Sequence, residues 1–139
     1  MRSFVIQKHT KKAYSRAKPV RLNYGYSPTR GEISHFDLML EEKGKLLTWS
    51  ANNASLFNTL WKLTECRKLP DHRIDYLTYQ GKLSRGRGYV SIWDKGEYLL
   101  NNNQSSFFTL RLKGTRTKGT FFLMKDTKKE FEWWIVKVE

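Results

Sequence analysis

Cysteine is nearly missing from this chain. The single Cys66 excludes an internal disulfide framework, and no CxxC or Cys/His spacing offers a zinc site. Its plain reading is an inert thiol near a helix end. Acidic residues are also scarce: 13 Asp and Glu stand against 26 Lys and Arg, a formal charge of +13. Such an excess favours a polyanionic partner, because neutralising phosphates releases counterions. A generic basic surface, as on a ribosome-associated protein, is the bland alternative. An anionic membrane fits less well, since no strongly amphipathic basic helix is visible. No apolar run is long enough to span a bilayer, and Met1-Arg2-Ser3-Phe4 opens no signal-peptide core. With one lone thiol this points to a reducing cytoplasm. Missing too are a nucleotide-binding glycine motif followed by a helix, G-x-S-x-G, H-E-x-x-H and an EF-hand loop.

What the chain does have is material for a core. Hydrophobic residues make up 39% and aromatics 14%, which argues against disorder. With 139 residues and no linker or repeat, one domain spanning 1–139 is expected, as a monomer. Short apolar runs alternate with turn signals. Ser3–Gln7 is one. Phe36–Glu41 and Lys45–Ser50 flank Glu42-Lys43-Gly44, a hairpin turn. Tyr76–Tyr79, Gly88–Trp93, Glu97–Leu100, Ser106–Lys113, Gly119–Lys125 and Phe131–Val138 follow, with Asp94-Lys95-Gly96 and Asn101-Asn102-Asn103 as turns between them. Around nine short strands make a mainly β pattern, a small antiparallel barrel or a sandwich. One short helix is predicted over Ala54–Cys66, where Leu56, Leu60 and Leu63 recur at helical spacing and Asn53 can cap. Both faces of Phe131–Val138 are largely apolar, so that strand is expected to be central or covered, with Trp133 and Trp134 in the core.

Three histidines carry the candidate chemistry. On a strand His35 and Asp37 point one way while Phe36, Leu38 and Leu40 point the other. An imidazole and a carboxylate on one face can hold a divalent cation once a third ligand arrives. A lone histidine in a strand is ordinarily a surface or satisfied core residue, so the pair matters more than either member. From about 10 to 31 the chain reads as a basic loop or insertion. Lys8, Lys11, Lys12, Arg16, Lys18, Arg21 and Arg30 meet no acid up to Gly31, and Tyr14, Tyr24 and Tyr26 are interleaved. Phosphate contacts with base stacking suit it, as does a solvated insertion with its tyrosines folded onto the body. In Ser84-Arg85-Gly86-Arg87-Gly88, arginine forks and close backbone approach suit a phosphate; a glycine-rich hairpin tip explains the glycines equally well.

Taken in order, these segments resemble the 3′-phosphoesterase domain at the N-terminus of bacterial DNA ligase D, and its stand-alone branch in particular. Phe-Val-Ile-Gln-Lys-His at 4–9 is similar to the opening motif. His35-Phe36-Asp37-Leu38-Met39-Leu40-Glu41 resembles the His-aromatic-Asp strand, and Leu46-Leu47-Thr48-Trp49 its successor. Asp71-His72, then Tyr76, Tyr79 and Gly81, then Val90–Gly96, Leu110–Gly114 with Lys118-Gly119, and Trp134–Lys137 follow in the same order.

The resemblance implies an eight-stranded barrel-like fold with a groove and a manganese-type ion. It assigns metal binding to His9, His35 and Asp37, and a catalytic phosphate contact to His72. The activity it implies is a hydrolase that trims damaged DNA or RNA 3′ ends, removing a terminal ribonucleoside and then the 3′-phosphate. The resulting 3′-OH would serve a DNA ligase or polymerase acting in trans. The chain departs from the family pattern. Met39 stands where an arginine is usual, facing the same way as His35 and Asp37, and Arg85, Arg87 or Arg67 are candidates to replace it. Pro70 and Gln80 stand where acids are common, and Ser50-Ala51-Asn52-Asn53 replaces Pro-Lys-Gly. His9 is separated from His35 by the basic stretch rather than by a few residues. These departures keep a second function open, a catalytically inactive basic nucleic-acid-binding module of the same fold.

Overall fold

A computed structural model describes the backbone of residues 2–14, 20–22, 25–27 and 30–139, and the side chains of 2–12, 32–101 and 105–139. Its strands are β1 (Arg2–Tyr14), β2 (Val20–Leu22), β3 (Gly25–Ser27), β4 (Arg30–Glu42), β5 (Lys45–Ala51), β6 (Thr64–Arg73), β7 (Gly81–Lys82), β8 (Tyr89–Gln104), β9 (Phe107–Gly114), β10 (Lys118–Lys125) and β11 (Glu132–Lys137). Eight of them close an antiparallel barrel in the order β1-β4-β5-β6-β11-β10-β9-β8, with β8 returning to β1. Strand β7 adds to the free edge at the start of β8.

The interior of an eight-stranded barrel is just wide enough for side chains to fill. Here Phe4, Ile6, Leu38, Leu40, Trp49, Leu110, Phe121 and Ile135 fill it. Trp133 stacks on Phe108 at 5.6 Å and meets Trp49 edge-on at 5.7 Å. Both the central place of β11 and the core role of Trp133 agree with the sequence; Trp134 is half-buried instead, its indole N–H donating to Asp126. The Lys43-Gly44 turn also forms as expected, with φ of 50° and 81° at its two residues, the left-handed pair that matches strand twist in a tight hairpin.

Four expectations are corrected. The helix over Ala54–Cys66 is a single 3₁₀ turn, Ser55–Phe57. Leu56 and Phe57 are buried, but Leu60 and Leu63 are 53% and 55% exposed, so the helical spacing has no face to bury. The Asn53 side chain accepts from the Ser55 N–H, and Trp61, at φ 61°, donates its N–H to the Lys137 carbonyl instead of to a helical turn. Asp94-Lys95-Gly96 is not a turn. It lies inside the continuous strand β8, where Ile6 pairs with Asp94 and Gln7 with Ile92, leaving Trp93 as the extra residue of a bulge. Gly96 permits that packing, since a Cβ there would meet the Lys113 oxygen at 2.0 Å. Asn101-Asn102-Asn103 likewise falls within β8. Tyr76–Tyr79 is no strand; Ile74–Leu77 forms a 3₁₀ turn lying over the outer face of β1, β4 and β5, with Tyr76 and Leu77 against Val5, Met39 and Leu46.

The stretch expected as a loop at about 10–31 is a ladder at both ends, from Thr10↔Ser34 out to Tyr14↔Arg30, and β2 pairs with β3 inside it. The side chains of Tyr14, Arg16, Lys18, Arg21, Tyr24, Tyr26 and Arg30 lie outside the described residues.

The buried Asp94 carboxylate accepts N–H groups from Lys95, Thr115, Arg116 and Thr117 at 2.7–3.1 Å, fixing the β9–β10 turn. Replacing it with alanine leaves those donors without their acceptor, the buried Thr117 N–H above all. Asp94→Ala is expected to cost about 2–4 kcal/mol in urea unfolding. A loss under about 0.5 kcal/mol would show that the turn holds without it.

Candidate metal centre

The β1–β4 register builds the site. His9 lies directly opposite His35, Gln7 opposite Asp37, and Val5 opposite Met39. Phe4, Ile6, Leu38 and Leu40 take the barrel side, so alternation sends the other set outward. The long separation of His9 from His35 is thereby closed: the two rings meet at 4.5 Å between centroids.

Three donor atoms converge. His9 Nδ1 is 3.1 Å from His35 Nε2, which is 3.3 Å from an Asp37 oxygen. All three lie within 4.8 Å of one another. His9 Nε2–H donates to the Arg87 carbonyl at 2.6 Å. A carbonyl only accepts, so the proton sits on Nε2 and Nδ1 presents a lone pair. A proton on His35 Nε2 is then shared between His9 and Asp37. The Asp37 side chain is only 5% exposed, and among the described residues its Oδ1 has no hydrogen-bond partner. A buried carboxylate oxygen without a donor is costly. Neighbouring ligands of one cation stand about 3 Å apart when each bond is about 2.1 Å. The spacing, the His9 lone pair and the orphaned oxygen fit a divalent ion that displaces the proton on His35 Nε2, and two nitrogens with one oxygen suit manganese, iron or zinc.

His72 joins this cluster. It lines a cavity of about 320 Å³ together with His9, Asp37, Met39, Arg73 and Arg87. A bulge puts it there: Leu46 pairs with His72 but Thr48 with Leu69, so β6 carries one residue more than β5 at Pro70-Asp71. Proline is tolerated at such a point because it has no ladder N–H to lose. Asp71 pairs with Lys45 at 3.0 Å and Lys68 at 3.7 Å. His72 Nδ1–H donates to the Pro70 carbonyl at 2.9 Å, which leaves the lone pair on Nε2. Burial pulls the Lys68 ammonium below its usual range, with Asp71 opposing that shift.

Of the basic residues singled out in sequence, Arg87 reaches the cavity. Its guanidinium donates to the carbonyl and hydroxyl of Ser84, at 2.9 Å each. Gly88 lets this loop reach β1, for a Cβ there would lie 2.1 Å from the Thr10 oxygen. Arg73 was missed: strict alternation from His72 sends it to the opposite face, yet the 3₁₀ turn that follows brings it back over the Tyr76 ring, 5.8 Å from its centroid. Arg85 is exposed at the tip of Ser84–Gly86 with φ 61°. Arg67 lies on the other flank of His35, in a cavity of about 680 Å³ shared with Lys129 and Phe131. His35 lines that larger space, whereas His9, Asp37 and His72 line the smaller one. Lys11 shares the His9 face two residues on, while Lys8 and Lys12 take the opposite face; all three are exposed. Met39 is buried against Val5 and Leu46 and closes the cavity floor.

Residues 29–125 match the DNA Ligase D 3'-phosphoesterase domain. The chain belongs to that family. Its membership implies a 3′-phosphoesterase-type role in DNA repair, with nucleic-acid 3′ ends as substrates. The match takes in His35, Asp37, Met39, His72, Arg73 and Arg87. His9 precedes it and enters this phosphoesterase fold through the ladder alone. No curated protein matches the chain significantly. Among the described residues, no helix is long and apolar enough to cross a membrane.

Cys66 is not part of the chemistry. It sits in β6 with its side chain in the barrel, not at a helix end, and burial, then the Glu65 charge, pushes its thiol up to about 12. Native protein at pH 8 is expected to leave Cys66 unmodified by a thiol-disulfide reagent over a period in which denatured protein reacts fully. Rapid reaction of the native thiol would place it at the surface.

Proposed function

We propose that this domain is a divalent-metal-dependent 3′-phosphoesterase that removes a 3′-phosphate or a 3′-terminal ribonucleotide from nucleic acid during DNA repair. One observation carries the reading: donor atoms of His9, His35 and Asp37 lie within 4.8 Å of one another, and His9 and Asp37 line the cavity that His72, Arg73 and Arg87 also line.

His9, His35 and Asp37 would hold the ion, and manganese is among those that agree with this mixed nitrogen and oxygen set. A divalent cation so held supplies polarisation of a phosphoryl oxygen and a more acidic bound water. The remaining work belongs to the chain. Arg73 and Arg87 bind non-bridging phosphate oxygens and fix the group in the cavity. His72, oriented by the Pro70 carbonyl, presents Nε2 to the phosphate; as imidazolium it donates a hydrogen bond or a proton to the leaving oxygen. Met39, Leu83 and Val90 form a dry wall that strengthens each of these contacts. The product 3′-OH is the end a ligase or polymerase needs, so such an enzyme acting in trans is the natural next partner.

A second reading, a catalytically inactive nucleic-acid-binding module, is favoured by the buried Met39 where family members commonly carry arginine. A 5′-labelled primer–template with a 3′-phosphate or one 3′-ribonucleotide, incubated with Mn²⁺, separates the two. Wild type is expected to yield a 3′-OH in an EDTA-sensitive manner, and His35→Ala to lose at least about 100-fold in rate. His72→Ala is expected to lose about 10²–10⁴ in kcat while Mn²⁺ still binds. Turnover undiminished in His35→Ala would remove the histidine cluster from the reaction. Tight binding without turnover by wild type would establish the second reading.

A further inference from the structure

The cavity of about 320 Å³ does not end at the arginines. A second cavity of about 400 Å³ continues from it, and the two share Arg73, Tyr76, Leu83 and Arg87 as a common wall. Beyond that wall stand Tyr79, Asp75 and Lys82. The Tyr76 and Tyr79 rings meet edge to face at 6.0 Å and 85°, forming a right-angled aromatic corner. That corner is anchored: Gln7 Nε2 donates to the Tyr76 carbonyl at 2.7 Å, and the Tyr79 hydroxyl donates to the Lys82 carbonyl. Even so, Tyr79 remains 39% exposed, with ring surface free for a ligand.

A phosphodiester in the first cavity has two ester arms, and one of them must leave past the arginines. The second cavity has the chemistry of a nucleoside site. Its aromatic corner stacks any base regardless of sequence. Its carboxylate, Asp75, accepts hydrogen bonds from sugar hydroxyls, which a phosphate does not offer. Resting on the phosphoesterase reading, we propose that this cavity is the subsite for the nucleoside joined through its 5′-oxygen to the phosphate in the first cavity. Tyr79 and Asp75 are then specificity residues for the diester substrate, while a 3′-monophosphate does not use them.

Isothermal titration of the full chain in Mn²⁺ with adenosine 5′-monophosphate and with inorganic phosphate tests this without turnover. Wild type is expected to bind the nucleotide about tenfold or more tightly than phosphate, as one stacked base allows. Tyr79→Leu should abolish most of that ratio, and Asp75→Ala part of it, with phosphate affinity unchanged in both. Equal affinities in wild type, or a ratio that survives both substitutions, would overturn the subsite alone. Binding of neither ligand would overturn it together with the phosphate site it adjoins.

Discussion

The antiparallel register of β1 against β4 is the constraint on which the rest of the structure depends. Side chains on a strand alternate with a period of two, so one register fixes both the barrel interior and the outer face. Phe4, Ile6, Leu38 and Leu40 face in; Gln7, His9, His35 and Asp37 face out. A slip by one residue would expose four large apolar side chains, each worth about 1.5–3 kcal/mol of burial. Core packing thus holds the imidazoles and the carboxylate at ligand spacing, and no contact among the polar groups has to supply that energy.

Those polar groups are poorly satisfied on their own. His9 directs a lone pair inward because Arg87 fixes its tautomer, and Asp37 keeps one oxygen without a partner. In a barrel dominated by local alternation and well-made backbone pairs, an unsatisfied buried carboxylate is a local fault that the core stabilises against. The fault has a function if a cation completes it, since ions and protons then compete for the same lone pairs and binding one releases the other.

How much of this was legible in the sequence follows from how local each feature is. The outward pairing of His35 and Asp37 was readable because alternation needs only neighbours. The Lys43-Gly44 turn was readable because two left-handed residues carry it. The Ala54–Cys66 helix misled because periodicity does not say whether a partner surface exists for Leu60 and Leu63. Asp94-Lys95-Gly96 has the composition of a turn, and only the distant Thr115–Thr117 amides reveal a bulge with a buried anchor. The return of His9 across the stretch from 10 to 31, and of Arg73 after its 3₁₀ turn, both depend on pairing or packing with residues far away in sequence.

The most consequential departure, Met39, makes sense in that light. An arginine at this place on β4 would have to pass between Val5, Leu46 and Leu77, against a packed apolar cluster. The chain instead brings guanidinium groups from outside the wall, Arg73 beside the turn and Arg87 in the loop above. This ties the two halves of the site together. Arg87 presents its carbonyl to His9 and lines the same cavity, while Gln7, opposite Asp37, holds the Tyr76 carbonyl. Moving the cover of residues 70–88 therefore disturbs the His9 tautomer and removes both arginines at once. On the proposed reading, cation and phosphate affinity would be coupled through that one segment, a linkage that an arginine fixed on β4 would not create.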